Sequence, residues 1–133
     1  MRVRQQERPP MQYITAGESH GPELTAIVSG VPAGLAVSEE QINTDLARRQ
    51  TGYGRGGRQT IERDRVTVTS GVRFGYTIGS PVALKVRNRD WENWTDRMAA
   101  FGEAPSDLKR EVTPRPGHAD LVGVLRNNFD DCR

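Results

Sequence analysis

The chain has 133 residues, 35% of them hydrophobic and 6% aromatic, and its charged residues, 27% of the total, nearly cancel to a net +2. That length suits one domain with a modest core, and alternating apolar runs at low net charge argue against a fully disordered chain, although the lean apolar content fits a piece of something larger. The single cysteine, Cys132, excludes an internal disulfide and a cysteine metal cluster, and no apolar run is long enough for a transmembrane helix or a signal peptide, so a reducing, cytoplasmic setting is the default.

Residues 1–10 (MRVRQQERPP) are polar, basic and proline-terminated. They read as a flexible N-terminal extension, with Met11 as the expected start of a folded part spanning 11–133. Leu24-Thr25-Ala26-Ile27-Val28 reads as a strand ended by Ser29-Gly30, and Pro32-Ala33-Gly34 as a turn. Ser38-Glu39-Glu40-Gln41 has a capping-box pattern, and Ile42 and Leu46 follow on one face, which predicts a helix over about 39–49. Acidic residues at its start and Arg48 and Arg49 at its end suit the helix dipole, an ordinary structural reason for both arginines.

Arg65 to Ser70 alternates and reads as a strand, Phe74 to Gly79 as a turn between strands, and Val82, Leu84 and Val86 as a second half-buried strand. The 60–88 region is therefore expected to form an antiparallel sheet with one wet face, and the whole an α+β fold. Trp91 and Trp94 fit either an oligomer contact or packing under a loop. Residues 99–112 are polar and loop-like. The last segment, from Leu121 to Arg133, begins as a helix but shows no C-cap glycine and no proline, so the chain is expected to stop in mid-element.

The segment Arg48-Arg49-Gln50-Thr51-Gly52-Tyr53-Gly54-Arg55-Gly56-Gly57-Arg58 carries the strongest chemical signal. Glycine lets the backbone turn tightly and approach a ligand, while guanidinium forks match phosphate and carboxylate oxygens two at a time. Residues 48–65 hold six arginines against Glu62 and Asp64, a local excess of four positive charges over a remainder that is net negative. A local cationic site suits a small anion better than a uniformly basic nucleic-acid surface. The spacing matches neither a Walker loop nor a dinucleotide fingerprint. The alternative is an arginine–glycine polyanion or nucleic-acid-binding segment in a non-catalytic module.

The only two histidines sit in glycine-containing turns, Gly17-Glu18-Ser19-His20-Gly21 and Pro116-Gly117-His118-Ala119-Asp120. Imidazole titrates near neutrality, so each is a candidate for proton transfer; a surface or structural turn histidine is the alternative. Two histidines so far apart, with no cysteine or histidine nearby, give no metal site. A Ser19–His20 nucleophile pair is disfavoured, because adjacent side chains usually diverge and no third, orienting member is evident.

Taken in order, Thr15-Ala16-Gly17-Glu18-Ser19-His20-Gly21, Gly30-Val31-Pro32-Ala33-Gly34, the arginine–glycine segment, Ser70-Gly71-Val72 and Arg115-Pro116-Gly117-His118-Ala119-Asp120 closely resemble chorismate synthase, from about Met11 to Gly123. The resemblance implies a β-α-β sandwich of antiparallel sheets around helices. It implies a lyase of the shikimate pathway and aromatic amino-acid biosynthesis. That enzyme eliminates phosphate from 5-enolpyruvylshikimate 3-phosphate in a 1,4-anti sense, giving chorismate. Reduced FMN is the implied cofactor and NADPH a source for its reduction. A homotetramer is expected of the full-length protein, with no nucleic-acid or membrane partner.

Residue by residue, His20 resembles the histidine that protonates the leaving phosphate, and His118 the one beside the flavin. Arg49 and Arg55 resemble the arginines that hold substrate oxygens or, in some assignments, cofactor phosphate. Ser19 and Arg58 are expected to assist in substrate binding. Family members are longer, and their arginine- and serine-rich flavin loop follows the Pro-Gly-His-Ala-Asp motif. The resemblance therefore implies an N-terminal fragment, truncated before that loop and inactive alone.

Overall fold

The computed structural model describes residues 10–50 and 64–132. Its contacts divide the chain into two compact units between Arg89 and Asp90.

The first unit is built on a four-stranded antiparallel sheet. Its strands are β1 (Gln12–Ala16), β2 (Glu23–Ser29), β3 (Val66–Ser70) and β6 (Val82–Arg87), in the order β1-β2-β6-β3. A small hairpin of β4 (Val72–Arg73) and β5 (Tyr76–Thr77) follows β3, and helix α1 (Glu39–Gln50) lies between β2 and β3 in the sequence. The register explains the alternation read from the sequence. Leu24 pairs with Val86, Ala26 with Leu84 and Val28 with Val82; on the far side of β6, Val66 pairs with Val86 and Val68 with Leu84. Partners in an antiparallel ladder project to the same face, so these residues make one apolar face. Glu23, Thr25, Lys85, Arg87 and Thr67 occupy the other, where Lys85 and Glu23 form an ion pair.

Helix α1 starts where its cap places it. The Gln41 N–H donates to the Ser38 hydroxyl at 3.3 Å, and the Ile42 N–H closes the first turn onto the Ser38 carbonyl at 3.2 Å. Two helix side chains tie it to the segment entering β3. Asn43 Oδ1 accepts from the Val66 N–H at 2.8 Å, and Gln50 Oε1 from the Asp64 N–H at 3.3 Å. Ile42 and Leu46 face the apolar side of the sheet across a cleft of about 460 Å³ lined also by Leu24, Val66, Leu84 and Val86. No residue of α1 is buried, and among the described residues only Val66 and Val82 are buried apolar side chains.

Thr77 locks the β4–β5 hairpin to the Pro32–Gly34 turn. Its buried hydroxyl donates to the Pro32 carbonyl at 2.5 Å and accepts from the Leu35 N–H at 2.9 Å. The stretch expected to be a turn from Phe74 to Gly79 thus contains a two-residue strand, because pairing across the hairpin with Val72 and Arg73, and with Leu35, captures Tyr76 and Thr77.

The second unit has little regular structure. A 3-10 turn (Arg89–Asn93) leads into it, and Trp94 is half-buried with its indole N–H on Asp90 Oδ2 at 2.9 Å. Trp94 and Leu108 line a small cleft. The tail folds back, with the Cys132 N–H on the Glu111 carbonyl at 2.8 Å and an Arg110–Asp130 ion pair. Helix α2 (Asp120–Asn127) corrects one expectation. It does not run off the end of the chain: Asn128 adopts φ 56° and ψ 46°, and its N–H reaches back to the Val124 carbonyl. Asparagine tolerates the left-handed conformation almost as glycine does, so it supplies the stop that a search for glycine and proline overlooks.

Candidate functional site

The first histidine turn follows β1 directly. Gly17 sits at φ +133°, and a Cβ there would lie 2.7 Å from the Glu23 carbonyl oxygen and 2.8 Å from Leu24 Cδ2. Only a residue without a side chain lets β1 pass β2 this closely and still enter the turn. The turn then closes with the Gly21 N–H on the Glu18 carbonyl at 3.0 Å. Asn88, one residue beyond β6, braces it from the sheet: Nδ2 donates to the Gly21 carbonyl at 2.7 Å and to the Ser19 carbonyl at 3.4 Å. The Asn88 N–H donates to the Pro22 carbonyl at 2.9 Å.

Inside this turn His20 is buried, and its Nδ1 lies 2.8 Å from Ser19 Oγ. The expectation that these adjacent side chains diverge is therefore corrected. They occupy the two central positions of the Glu18–Gly21 turn, where the reversal of the backbone turns them together. Ser19 also lines a cleft of about 130 Å³ with Glu18, Arg49, Asp64, Arg87 and Asn88. Two of the expected site residues, Ser19 and Arg49, thus share one cleft, and His20 is hydrogen-bonded to the first of them.

Arg49 stands in the last turn of α1, with Nη2 3.2 Å from Asp64 Oδ2. Arg48 instead pairs with Asp45 at 2.8 Å on an exposed helix surface. Glu18 and Asp64 balance Arg49 and Arg87 around the cleft. Arg55 and Arg58 lie outside the described residues.

His118 belongs to the second unit. The sequence Arg115-Pro116-Gly117-His118 folds as a type II turn: the His118 N–H meets the Arg115 carbonyl at 3.2 Å, and Gly117 takes the positive φ, +71°, that position requires. The turn runs straight into α2, whose first residue, Asp120, has a buried carboxylate. Arg115 grips it with Nε at 2.9 Å from Oδ2 and Nη2 at 3.0 Å from Oδ1, and the Arg115 N–H adds a bond to Oδ2 at 3.1 Å. His118 Nδ1 is 2.8 Å from Asp120 Oδ1. The guanidinium and then the N–H of Arg115 hold the Asp120 carboxyl well below the usual carboxylate range, against the opposing effect of burial. The same hydrogen bond raises Arg115 above its ordinary value. Asp120 is therefore an anion throughout the physiological range.

Five groups that shape these turns carry no role in the sequence reading: Glu18, Asp64, Asn88, Arg115 and Asp120. Arg115 and Asp120 flank His118 inside its own motif, so their spacing is a visible signal; Asn88 and Asp64 come from distant sequence and leave none.

The family model for chorismate synthase matches residues 11–133. The chain belongs to the chorismate synthase family. The chorismate synthase of Chlorobaculum tepidum is 62% identical over 123 residues, which is 92% of this chain and 31% of that protein. The chorismate synthase of Geotalea uraniireducens is likewise 62% identical over 122 residues, covering 92% and 31%. A chorismate synthase crystal structure superposes with a TM-score of 0.63 at 40% identity, over 95% of this chain and 27% of that one. The chain thus spans about three tenths of the length of these relatives. The α+β reading, with antiparallel strands and helices, stands with that match. No helix among the described residues is long and apolar enough to cross a membrane.

Proposed function

We propose that this chain is the N-terminal part of a chorismate synthase. The complete protein would convert 5-enolpyruvylshikimate 3-phosphate to chorismate and inorganic phosphate. The observation that carries this reading is the buried His20 imidazole bonded to Ser19, which lines a cleft together with Arg49. A departing phosphate needs both a proton donor and a guanidinium: one group neutralises the charge that develops on the leaving oxygen, and the other holds the anion.

In this scheme Arg49, Arg55 and Arg58 bind the phosphate and carboxylate oxygens of the ester. Arg49 must turn from Asp64 toward the substrate to do so. Ser19 helps to hold the ester and orients the His20 ring. As the C–O bond to phosphate breaks, His20 delivers a proton to the leaving group, and the hydrogen lost from the opposite face of the ring completes the 1,4-anti elimination.

The reaction class calls for reduced FMN, and the residues present fit part of its site. A half-exposed imidazole whose Nδ1 is occupied by Asp120 offers its other nitrogen as a hydrogen-bond partner for a heterocycle. His118 would take that place, and Arg49 and Arg55 are also candidates for a phosphate of FMN or NADPH. When bound, reduced FMN would supply transient electron density to the substrate and take it back together with the ring hydrogen that leaves, with no net redox change.

Relatives are about three times longer, and the exposed α1 and open apolar cleft suit a chain whose core is completed by further polypeptide. We therefore expect the 133-residue chain alone to be inactive, and the complete protein to be a cytoplasmic homotetramer without nucleic-acid or membrane partners. The test is chorismate formation from the ester with reduced FMN under anaerobic conditions, using the complete protein. His20→Ala should lower kcat by about 10²–10⁴-fold, the usual contribution of a positioned general acid, and Arg49→Ala should chiefly raise KM. Failure of the complete protein to form chorismate would refute the proposal. Steeply salt-dependent RNA binding, indifferent to the ester, would favour the polyanion-binding module instead.

A further inference from the structure

We propose that Asp120 is a positioning residue for His118, fixing the tautomer in which Nδ1 carries the hydrogen and Nε2 is left to work; the inference rests on the lyase reading only for what His118 serves. Among the described residues, Arg115 and His118 converge on the Asp120 carboxylate. Oδ2 receives Arg115 Nε at 2.9 Å and the Arg115 N–H at 3.1 Å, and Oδ1 receives Arg115 Nη2 at 3.0 Å and His118 Nδ1 at 2.8 Å. An ionised carboxylate has about four lone-pair sites and no hydrogen to give. Nδ1 must therefore be the donor in its bond to Oδ1. Arg115 Nη2 lies 3.3 Å from the same nitrogen. It can only donate and so favours the opposite tautomer, but this is the longer contact, and Nη2 already donates to Oδ1 at 3.0 Å, whereas Nδ1 meets Oδ1 at 2.8 Å.

The backbone on either side holds this arrangement. The type II turn fixes His118 relative to Arg115, and the first turn of α2, closed by the Gly123 N–H on the Ala119 carbonyl at 2.9 Å, fixes Asp120. The carboxylate is buried while the imidazole is about half exposed, so the orienting group is shielded and the oriented ring remains accessible. Were Asp120 only a clasp between Arg115 and the helix, the tautomer of His118 would be indifferent to it.

Replacement by asparagine separates the two roles. In Asp120→Asn the amide oxygen is drawn to the Oδ2 position, where it meets Arg115 Nε and the Arg115 N–H. The amide NH₂ then faces His118 Nδ1, which must accept, and the ring hydrogen moves to Nε2. The experiment is ¹⁵N NMR of the histidine rings in the full 133-residue chain, which has only two histidines to assign. The wild-type chain should hold His118 in the Nδ1–H form, and Asp120→Asn should shift the tautomer ratio toward Nε2–H by about tenfold or more. Arg115→Lys, which keeps the carboxylate, should leave His118 in the Nδ1–H form. A predominant Nε2–H form in the wild-type chain overturns the proposal whatever the variants do. So does a ratio that moves less than about twofold in Asp120→Asn. In the complete synthase the same substitution should lower kcat without raising KM for the ester. No chorismate formation by the unsubstituted synthase, with the tautomer still set by Asp120, would overturn the lyase reading and support the positioning role.

Discussion

Replacing Gly17 with alanine should damage the chain more than any ordinary surface change, and its cost can be worked from two separate causes. The first is conformational. At φ +133° a residue with a side chain occupies a sparsely populated region, which costs about 1–3 kcal/mol. The second is steric. The new Cβ would stand 2.7 Å from the Glu23 carbonyl oxygen and 3.0 Å from Leu24 Cα, both backbone atoms of β2, so no side-chain rotation relieves the overlap. Overpacking of that kind typically costs about 1–3 kcal/mol, which brings the expected loss to about 2–6 kcal/mol.

Gly117→Ala supplies the internal comparison. Gly117 has φ +71°, but a Cβ there meets nothing within 4 Å among the described residues, so only the conformational cost of about 1–2 kcal/mol applies. Urea denaturation of both variants, followed by circular dichroism, should give a lower midpoint for Gly17→Ala at an unchanged slope. A Gly17→Ala loss within about 0.5 kcal/mol of the Gly117→Ala loss would refute the close-approach argument. Relief of the overlap also requires β1 to draw away from Leu24, which lines the cleft shared by Ser19 and Arg49, so the same variant should impair ester binding in the complete protein.

Two further outcomes follow from the turns. Asn88→Ala removes the donors that brace the Ser19 and Gly21 carbonyls, so it should cost about 1–3 kcal/mol and visibly shift the His20 ring resonances in NMR spectra; unchanged resonances would mean that the sheet does not position that turn. The Asp120 carboxyl is depressed in the folded chain, so the unfolded chain binds its proton first as the pH drops. Its contribution is fully present above the ordinary carboxylate value of about 3.9 and is lost as pH falls toward the lower folded value. The protection of the α2 amides, their exchange corrected for its intrinsic pH dependence, should therefore fall below about pH 4 in the wild-type chain, and an Asp120→Asn chain should lack that acid dependence.

The elements legible in the sequence are those whose signal is local. Strands β2, β3 and β6 alternate because one face of their sheet meets α1 and the other meets water, and Ser38 announces the helix through a cap only three residues long. Strand β1 was not legible, since all five of its residues are exposed and its order comes from pairing with β2. The hairpin strands β4 and β5 are two residues each, too short for any period to register. In the site, Ser19, His20, Arg49 and His118 were readable as chemistry, but their geometry was not. That Ser19 turns back onto its neighbour depends on the Glu18–Gly21 turn, and that Arg115 reaches Asp120 depends on a turn between them.

The two histidine turns impose different chemistry on the same side chain. Each holds Nδ1 at 2.8 Å, but the partner of His20 is a hydroxyl and the partner of His118 is a carboxylate. A serine hydroxyl can rotate to donate or accept, so it keeps its bond to His20 whether the ring is neutral in either tautomer or protonated. On the proposed reading, a ring that surrenders a proton to a leaving phosphate and later regains it benefits from such a partner, because its bond to Ser19 persists in both states. A carboxylate permits one polarity alone, and it favours a ring that presents the same face in every turnover. The partners, rather than the histidines themselves, thus support assigning proton delivery to His20 and a fixed hydrogen-bonding role to His118.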